Sequence, residues 1–325
     1  MNSNNIIKKI GAQKLIIIFV LIALVLFFSI ADASFRKYTT FLSLMGYTYY
    51  IAFMAIGVTF PLLTGGVDLS IGTGMVCYAL TGGYLVVYSG VPMWLGILIT
   101  IVFGVAVGIF NGFAVSVLNL PPFLATLCSC MITRGLGSIC AQGKGVPWPN
   151  ASSENGWFRS LFKLETGGHT IPIGIVWVVL AVIIMSIILK HTKTGRYILA
   201  IGSNKEAAKL CGINVIRYEM TAYIISGLFA GIAAVAYAAS FATMQPGTGA
   251  GMELDAIGAA IIGGVSTTGG YGTVTGTIIG VLIMSVLKTG LPYVDLQANW
   301  QQVIIGIVLI AAVMLDIVRT KKRSA

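Results

Sequence analysis

An aspartate, a serine and two glycines interrupt an apolar run at Leu63-Thr-Gly-Gly-Val-Asp-Leu-Ser-Ile-Gly72. Gly65 and Gly66 permit the chain to unwind, and unwound backbone within lipid must be satisfied by protein or water. Asp68 and Ser70 supply a carboxylate and a hydroxyl, and a carboxylate facing lipid is costly. Two roles fit: a helix break lining a translocation path or its cytoplasmic-side gate, and a cap on the following helix, whose dipole favours an acid. A second break, Gln245-Pro-Gly-Thr-Gly-Ala-Gly-Met-Glu-Leu-Asp255, lies on the opposite side. Pro246 and its glycines exclude a continuous helix there. Gln245, Glu253 and Asp255 are donors and acceptors of the kind that hold a polar solute such as a sugar, and the two acids equally suit helix capping. Arg134 sits inside an apolar segment and is expected to face the bundle interior, paired with Asp68 or a backbone carbonyl. Asn111, Asn119 and Gln142 are further amides that could line a path.

Catalytic chemistry finds no support. The chain has no phosphate-cradling G-x-x-x-x-G-K-[ST], no H-E-x-x-H, and two histidines, His169 and His191, far apart in sequence. Its five cysteines show neither metal spacing nor a disulfide framework. No catalytic residue, metal ligand or bound cofactor is expected, so ATP, if it drives this protein, binds another chain.

Apolar segments position these residues. The chain of 325 residues is 57% hydrophobic and 9% charged, with a mean hydropathy of +0.94. Soluble domains carry nearly three times that charge fraction, so the reading is one transmembrane domain over 1–325. The expected fold class is all-α: a polytopic membrane helical bundle of about ten spans, near 15–33, 41–63, 68–89, 92–118, 121–141, 171–190, 219–241, 253–265, 273–291 and 300–318. The eighth is short enough to begin earlier, near Met244, or to be a half-helix inside the bundle. The net charge of +10 concentrates at Lys8, Lys9 and Lys14, between Lys190 and Arg217, and from Arg319 to Arg323. Clusters beside span ends follow the positive-inside rule, exclude a nucleic-acid surface, and place both termini and the 190–217 loop in the cytoplasm. The first span with Ala31-Asp32-Ala33 resembles a signal peptide but is expected to stay as a span. Glycine recurs every fourth residue at Gly104, Gly108 and Gly112 and again at Gly272, Gly276 and Gly280, the signature of closely packed membrane helices. These spans, and the acid-led third and eighth, are five apart, which points to a 5+5 inverted repeat.

The loop 190–217 is basic, glycine-bracketed and partly helical. Ser203-Asn-Lys-Glu206 matches a capping box and Gly212 a left-handed helix stop, giving a helix from Asn204 to Cys211 with Ala207 and Ala208 as a smooth face. Its few strongly apolar residues are too little for burial in a membrane interface, so docking into a partner is expected.

At these residues the chain resembles the permease subunits of bacterial sugar ABC importers of the ribose-transport type. The resemblance covers nearly the whole length. It is carried by Gly65-Gly-Val-Asp-Leu-Ser-Ile-Gly72, Phe123-Leu-Ala-Thr126 with Arg134-Gly135, Thr194-Gly-Arg-Tyr197, Ala200-Ile-Gly202, Glu206-Ala-Ala208, Gly212-Ile213, Gln245-Pro246, Glu253-Leu-Asp-Ala-Ile257, Gly263-Gly264 and Gly269-Gly270. It implies a multi-pass protein of the bacterial cytoplasmic membrane, a second permease copy or paralogue, an ABC ATPase with two nucleotide sites, and an extracytoplasmic solute-binding protein. It also implies that Gly195, Arg196, Gly202, Asn204, Glu206, Ala207, Ala208, Gly212 and Ile213 form the segment gripped by the ATPase. Segment 142–170 departs most from the family. A gradient-driven transporter using Asp68, Asp255 and Arg134, and a membrane scaffold that recruits a partner, remain open at this point.

Overall fold

The computed structural model describes residues 3–294 and 298–324, with side chains described from Leu15 onward except at 298, 315 and 318–324. The terminal clusters Lys8, Lys9 and Lys14 and Arg319, Lys321, Lys322 and Arg323 therefore lie outside the described side chains. Twelve α-helices follow one another among the described residues: α1 (Ser3–Ala31), α2 (Tyr38–Leu63), α3 (Ile71–Tyr88), α4 (Met93–Ser116), α5 (Pro122–Cys140), α6 (Gly174–His191), α7 (Lys193–Ser203), α8 (Lys205–Leu210), α9 (Val215–Ser240), α10 (Met252–Ile262), α11 (Val274–Gly290) and α12 (Ala298–Ser324). Among the described residues, seven elements are long and apolar enough to cross a membrane: α2 to α6, α9, and α11 with the short 3₁₀ turn after it. Shorter apolar stretches run through Leu15–Ala31 of α1 and Asn299–Met314 of α12.

The structure decides between the two readings of the eighth span and adds elements to two connecting segments. Helix α10 has 11 residues, too few to span lipid alone, and does not start earlier, because Thr243–Met244 is a strand (β4) paired with Val146–Pro147 (β1). Residues Asp255–Ile261 are all buried, so α10 is a half-helix enclosed by α2, α3, α11 and α12. The basic segment holds a helix that sequence reading overlooked, α7, capped by the Thr192 hydroxyl accepting from the Gly195 amide at 3.3 Å. In the segment after α5, Leu164–Thr166 (β2) and His169–Ile171 (β3) form a hairpin. Arg159 clips this region together by donating to the carbonyls of Pro149 (2.7 Å), Trp148 (3.2 Å) and Ala239 (3.1 Å). Lys163 donates to the Ser240 carbonyl at 3.2 Å, and burial, reinforced by the Arg159 charge, lowers its amine from the ordinary lysine range.

The bundle packs on its small residues. A Cβ on Gly104 would lie 3.0 Å from Gly231 Cα, and one on Gly108 would lie 3.1 Å from Gly227 Cα, so α4 and α9 meet backbone to backbone. Gly276 and Gly280 face the Ala259–Gly263 backbone in the same way, pressing α11 onto α10. Gly104, Gly108, Gly276 and Gly280 thus perform the packing expected of them, whereas Gly272 lies in the turn before α11. Gly108→Leu should cost about 1–3 kcal/mol by overpacking and lower the melting temperature of the detergent-solubilised protein. Gly135→Leu on α5, where nothing lies within 4 Å of an added Cβ, should leave it unchanged.

Candidate functional site

Helix α2 ends in a paired set of backbone bonds: the Gly66 amide donates to the Pro61 carbonyl (3.0 Å) and the Gly65 amide to that of Leu62 (2.9 Å). Gly65 takes φ +83°, the left-handed stop that glycine adopts without a Cβ penalty. The chain then crosses the bundle unwound to Asp68, which is 1% exposed. Asp68 Oδ1 accepts from the Ser70 amide (3.0 Å) and hydroxyl (2.7 Å), and Oδ2 accepts from the Ser226 hydroxyl of α9 (2.7 Å). Asn111 of α4 donates to the Ser70 hydroxyl at 2.8 Å, and Ser129 of α5 donates to the Asn111 carbonyl oxygen. One carboxylate therefore ties together the start of α3 and helices α4, α5 and α9. The capping role is met indirectly, since Asp68 braces Ser70, the residue before α3. Among the amides, Asn111 joins this network, whereas Asn119 and Gln142 are exposed turn residues with φ of +55° and +52°.

Arg134 departs from expectation. It is exposed on α5 and pairs with neither Asp68 nor any other acid among the described residues. The inward stripe of α5 is Ala125, Thr126, Ser129, Thr133 and Gly137, small residues that let α5 lie against α3; the Thr73 and Thr133 hydroxyls meet at 2.9 Å. Arg134 follows Thr133 by about 100° around the helix and so points away. Phe123, Leu124, Met131, Ile132, Leu136 and Ile139 are exposed along the same helix.

The second break is distributed as well. The Gln245 side chain is exposed, and its carbonyl accepts from the Thr248 hydroxyl at 2.9 Å. Glu253 Oε1 accepts from the Gly251 amide (3.1 Å), so Glu253 caps the start of α10. Asp255 is buried in an ion pair with Lys288 of α11, whose amine also donates to the Tyr50 hydroxyl (3.3 Å). Lys288 carries no local sequence signal for this role; only the α10–α11 packing brings it to Asp255.

In the basic segment, Asn204 and not Ser203 caps α8: its side-chain oxygen accepts from the Ala207 amide at 2.9 Å, while the Ser203 hydroxyl turns back to the Leu199 carbonyl. Asn204 is extended (φ −162°), which ends α7 and opens α8 in one residue. Gly212 ends α8 as expected, with φ +79° and the Ile213 amide donating to the Ala208 carbonyl (3.1 Å). Ala207 and Ala208 do not share a face; Ala208 is buried and Ala207 exposed, as consecutive helical residues must diverge. Arg196, Glu206 and Gly212 are exposed, Gly195 is buried, and Ile213 is half-buried. Leu210 is 89% exposed at the tip of α8. Lys205 anchors α8 to α9 through the buried Glu219 at 2.7 Å, a partner that sequence reading did not single out.

The first break, the turn between α10 and α11, and the basic segment touch. A Cβ on Gly202 would strike the Leu63 carbonyl and the Gly270 amide, groups that hydrogen-bond each other at 2.9 Å. A Cβ on Gly269 would lie 3.0 Å from both Gly65 Cα and Gly202 Cα. The end of α7 is thus seated on the stop of α2 and on the turn between α10 and α11, and Asp316 of α12 holds that turn by accepting from the Thr267 amide and hydroxyl, each at 2.9 Å.

Residues 40–313 match the family described as "Branched-chain amino acid transport system / permease component". The chain belongs to this family. The ribose import permease protein RbsC of Escherichia coli (strain K12) is 33% identical over 314 residues, covering 94% of this chain and 92% of the relative. RbsC of Bacillus subtilis (strain 168) is 35% identical over 308 residues, covering 94% and 92%. The xylose transport system permease protein XylH of Escherichia coli (strain K12) is 28% identical over 373 residues, covering 98% and 95%. No solved structure matches the chain. The resemblance read from the motifs is borne out at full length, and the permease is a multi-pass helical membrane protein.

Lys288→Met in this permease should destabilise it by about 3–5 kcal/mol, because it strands the buried Asp255 carboxylate. Lys288→Met with Asp255→Leu should recover most of that loss. Thermal unfolding of the single and double variants in detergent measures the difference.

Proposed function

We propose that this chain is the membrane-spanning subunit of an ATP-driven, binding-protein-dependent importer of a sugar or sugar-like solute. The observation that carries the reading is the seating of Gly202 and Ser203, at the end of the basic segment, on the α2 stop and on the turn between α10 and α11 at once. A displacement of α8 by a partner reaches the α2 stop through backbone contacts, and the α2 stop leads within a few residues to Asp68. The relatives named for ribose and xylose support the solute class. The partner that grips Asn204–Ile213 is a separate ABC ATPase with two nucleotide sites; this chain has no nucleotide-binding motif of its own. Exposed Leu210 is the apolar anchor that such a groove would take.

Ten spans arranged as a 5+5 inverted repeat account for the packing. Exchanging each helix with the one five spans later turns α2–α11 into α9–α4, α3–α9 into α10–α2, α3–α5 into α10–α12, and α3–α4 into α10–α11, and all eight pairs are in contact. The acid-bearing breaks before α3 and at α10 are then counterparts. With termini and coupling segment in the cytoplasm, segment 142–173 and Gln245 face the solute-binding protein. Arg134 on the outer face of α5 cannot face lipid cheaply, so a second permease copy meets this face and encloses an aqueous path between them. Asp68 and Ser70 act as the pivot beside that path.

The test is co-purification. The tagged chain, drawn from native membranes in mild detergent, should bring down a stoichiometric ATPase chain. Glu206→Arg with Gly212→Val should release it while membrane insertion persists. A stable, ATPase-free oligomer from wild-type membranes, with uptake that collapses on addition of an uncoupler, would replace this reading with gradient-driven transport.

A further inference from the structure

Helices α1, α2 and α11 leave a groove of about 390 Å³ open at the bundle surface. Its walls are apolar, with Leu21 and Val25 from α1, Leu44 from α2 and Leu282 from α11. Its end is not: Ser29, Arg36 and Lys37 line it where α1 turns into α2. From Leu21 to Ser29 the groove runs roughly 12 Å along the helix axis, most of one leaflet of a ~30 Å hydrocarbon core.

The turn is built to hold those cations in place. Asp32 Oδ1 accepts from the Ser34 amide at 2.6 Å, which engages its carboxylate in the turn itself. Phe35 is buried against the rings of Phe28 (5.6 Å) and Tyr293 (6.1 Å). The Thr40 hydroxyl donates to the Ser34 carbonyl at 2.8 Å. Arg36 and Lys37 are left exposed at the head of the groove, and among the described residues neither forms an ion pair. In the orientation proposed above this turn lies at the outer face, where membrane proteins carry fewer cations, so two adjacent ones call for a counter-charge.

We propose that the groove binds one anionic phospholipid, with its phosphate between Arg36 and Lys37 and an acyl chain along Leu21, Val25 and Leu44. Paired cations above an apolar slot between helices match both ends of such a molecule. The site goes beyond the transport reading and does not depend on which solute is carried; its leaflet and the call for a counter-charge rest on the proposed orientation.

The test is native mass spectrometry of the intact permease complex released from bilayers of equimolar phosphatidylglycerol and phosphatidylethanolamine. Retained lipid should be enriched in phosphatidylglycerol by about tenfold, as two surface cations favouring a net anionic over a zwitterionic headgroup allow. Arg36→Gln with Lys37→Gln should bring the ratio to that of the bilayer. Val25→Trp, which fills the slot and keeps both cations, should also reduce the retained lipid. Size-exclusion profiles matching wild type show that the variants are folded. An unenriched wild type means that the cations merely meet bulk headgroups, and overturns the site. Enrichment that survives the double substitution unchanged does the same. Displacement by inorganic phosphate with no effect of Val25→Trp would mark a free-anion site and likewise overturn the lipid.

Discussion

Inside hydrocarbon a helix break must satisfy its own polar groups, because no water is there to do so. This constraint governs the segment between α2 and α3. The backbone stop at Gly65 and Gly66 satisfies the last carbonyls of α2, and the Asp68 carboxylate takes the Ser70 amide and the Ser70 and Ser226 hydroxyls. Asn111 and Ser129 complete the set. Each partner comes from a different helix, so α3, α4, α5 and α9 are held in register by one buried charge. Such a network is rigid while complete and costly once a member is withdrawn.

Close approach of backbones supplies the second half of the design. Glycines at the α4–α9 and α10–α11 contacts leave no side chain between the backbones to repack, so these pairs are locked closely together. The same device joins the basic segment to the α2 stop and to the α10–α11 turn through Gly202, Gly65 and Gly269. In the proposed importer, this makes the cytoplasmic segment a lever rather than a tether: partner binding at α8 shifts α7, and the shift is passed on without intervening flexible side chains. The ion pair of exposed Lys205 with buried Glu219 and the Lys288–Asp255 pair fix the two ends of this arrangement.

What the sequence disclosed follows from which signals are local. Glycine spacing, the apolar runs, the Gly212 stop and the break around Asp68 are written in neighbouring residues, and all were legible. The partners of Asp68 and Asp255 were not, because Ser226 and Lys288 lie far along the chain and look ordinary where they stand. Arg134 was misplaced because cost in lipid says only that an arginine must avoid lipid; it does not distinguish a bundle interior from a face awaiting another subunit. The small residues at Ala125, Ser129, Thr133 and Gly137 held the missing clue, since they mark the stripe that packs inward. Ser203 was preferred to Asn204 as a cap because the box pattern fits its spacing, and the prediction failed because α7 runs through Ser203. Helix α7 itself escaped notice because its buried residues Gly195, Ile198 and Ile201 are few and set among charges.

The claim at the centre of this account is that force passes through the contact at Gly202. The direct measurement is solute taken up per ATP hydrolysed by the reconstituted importer, comparing Gly202→Val with Gly306→Val, where nothing lies within 4 Å of an added Cβ. The account predicts that Gly202→Val keeps its ATPase bound and hydrolysing while uptake is lost, and that Gly306→Val keeps both. Uptake per ATP at the wild-type ratio in Gly202→Val would contradict it.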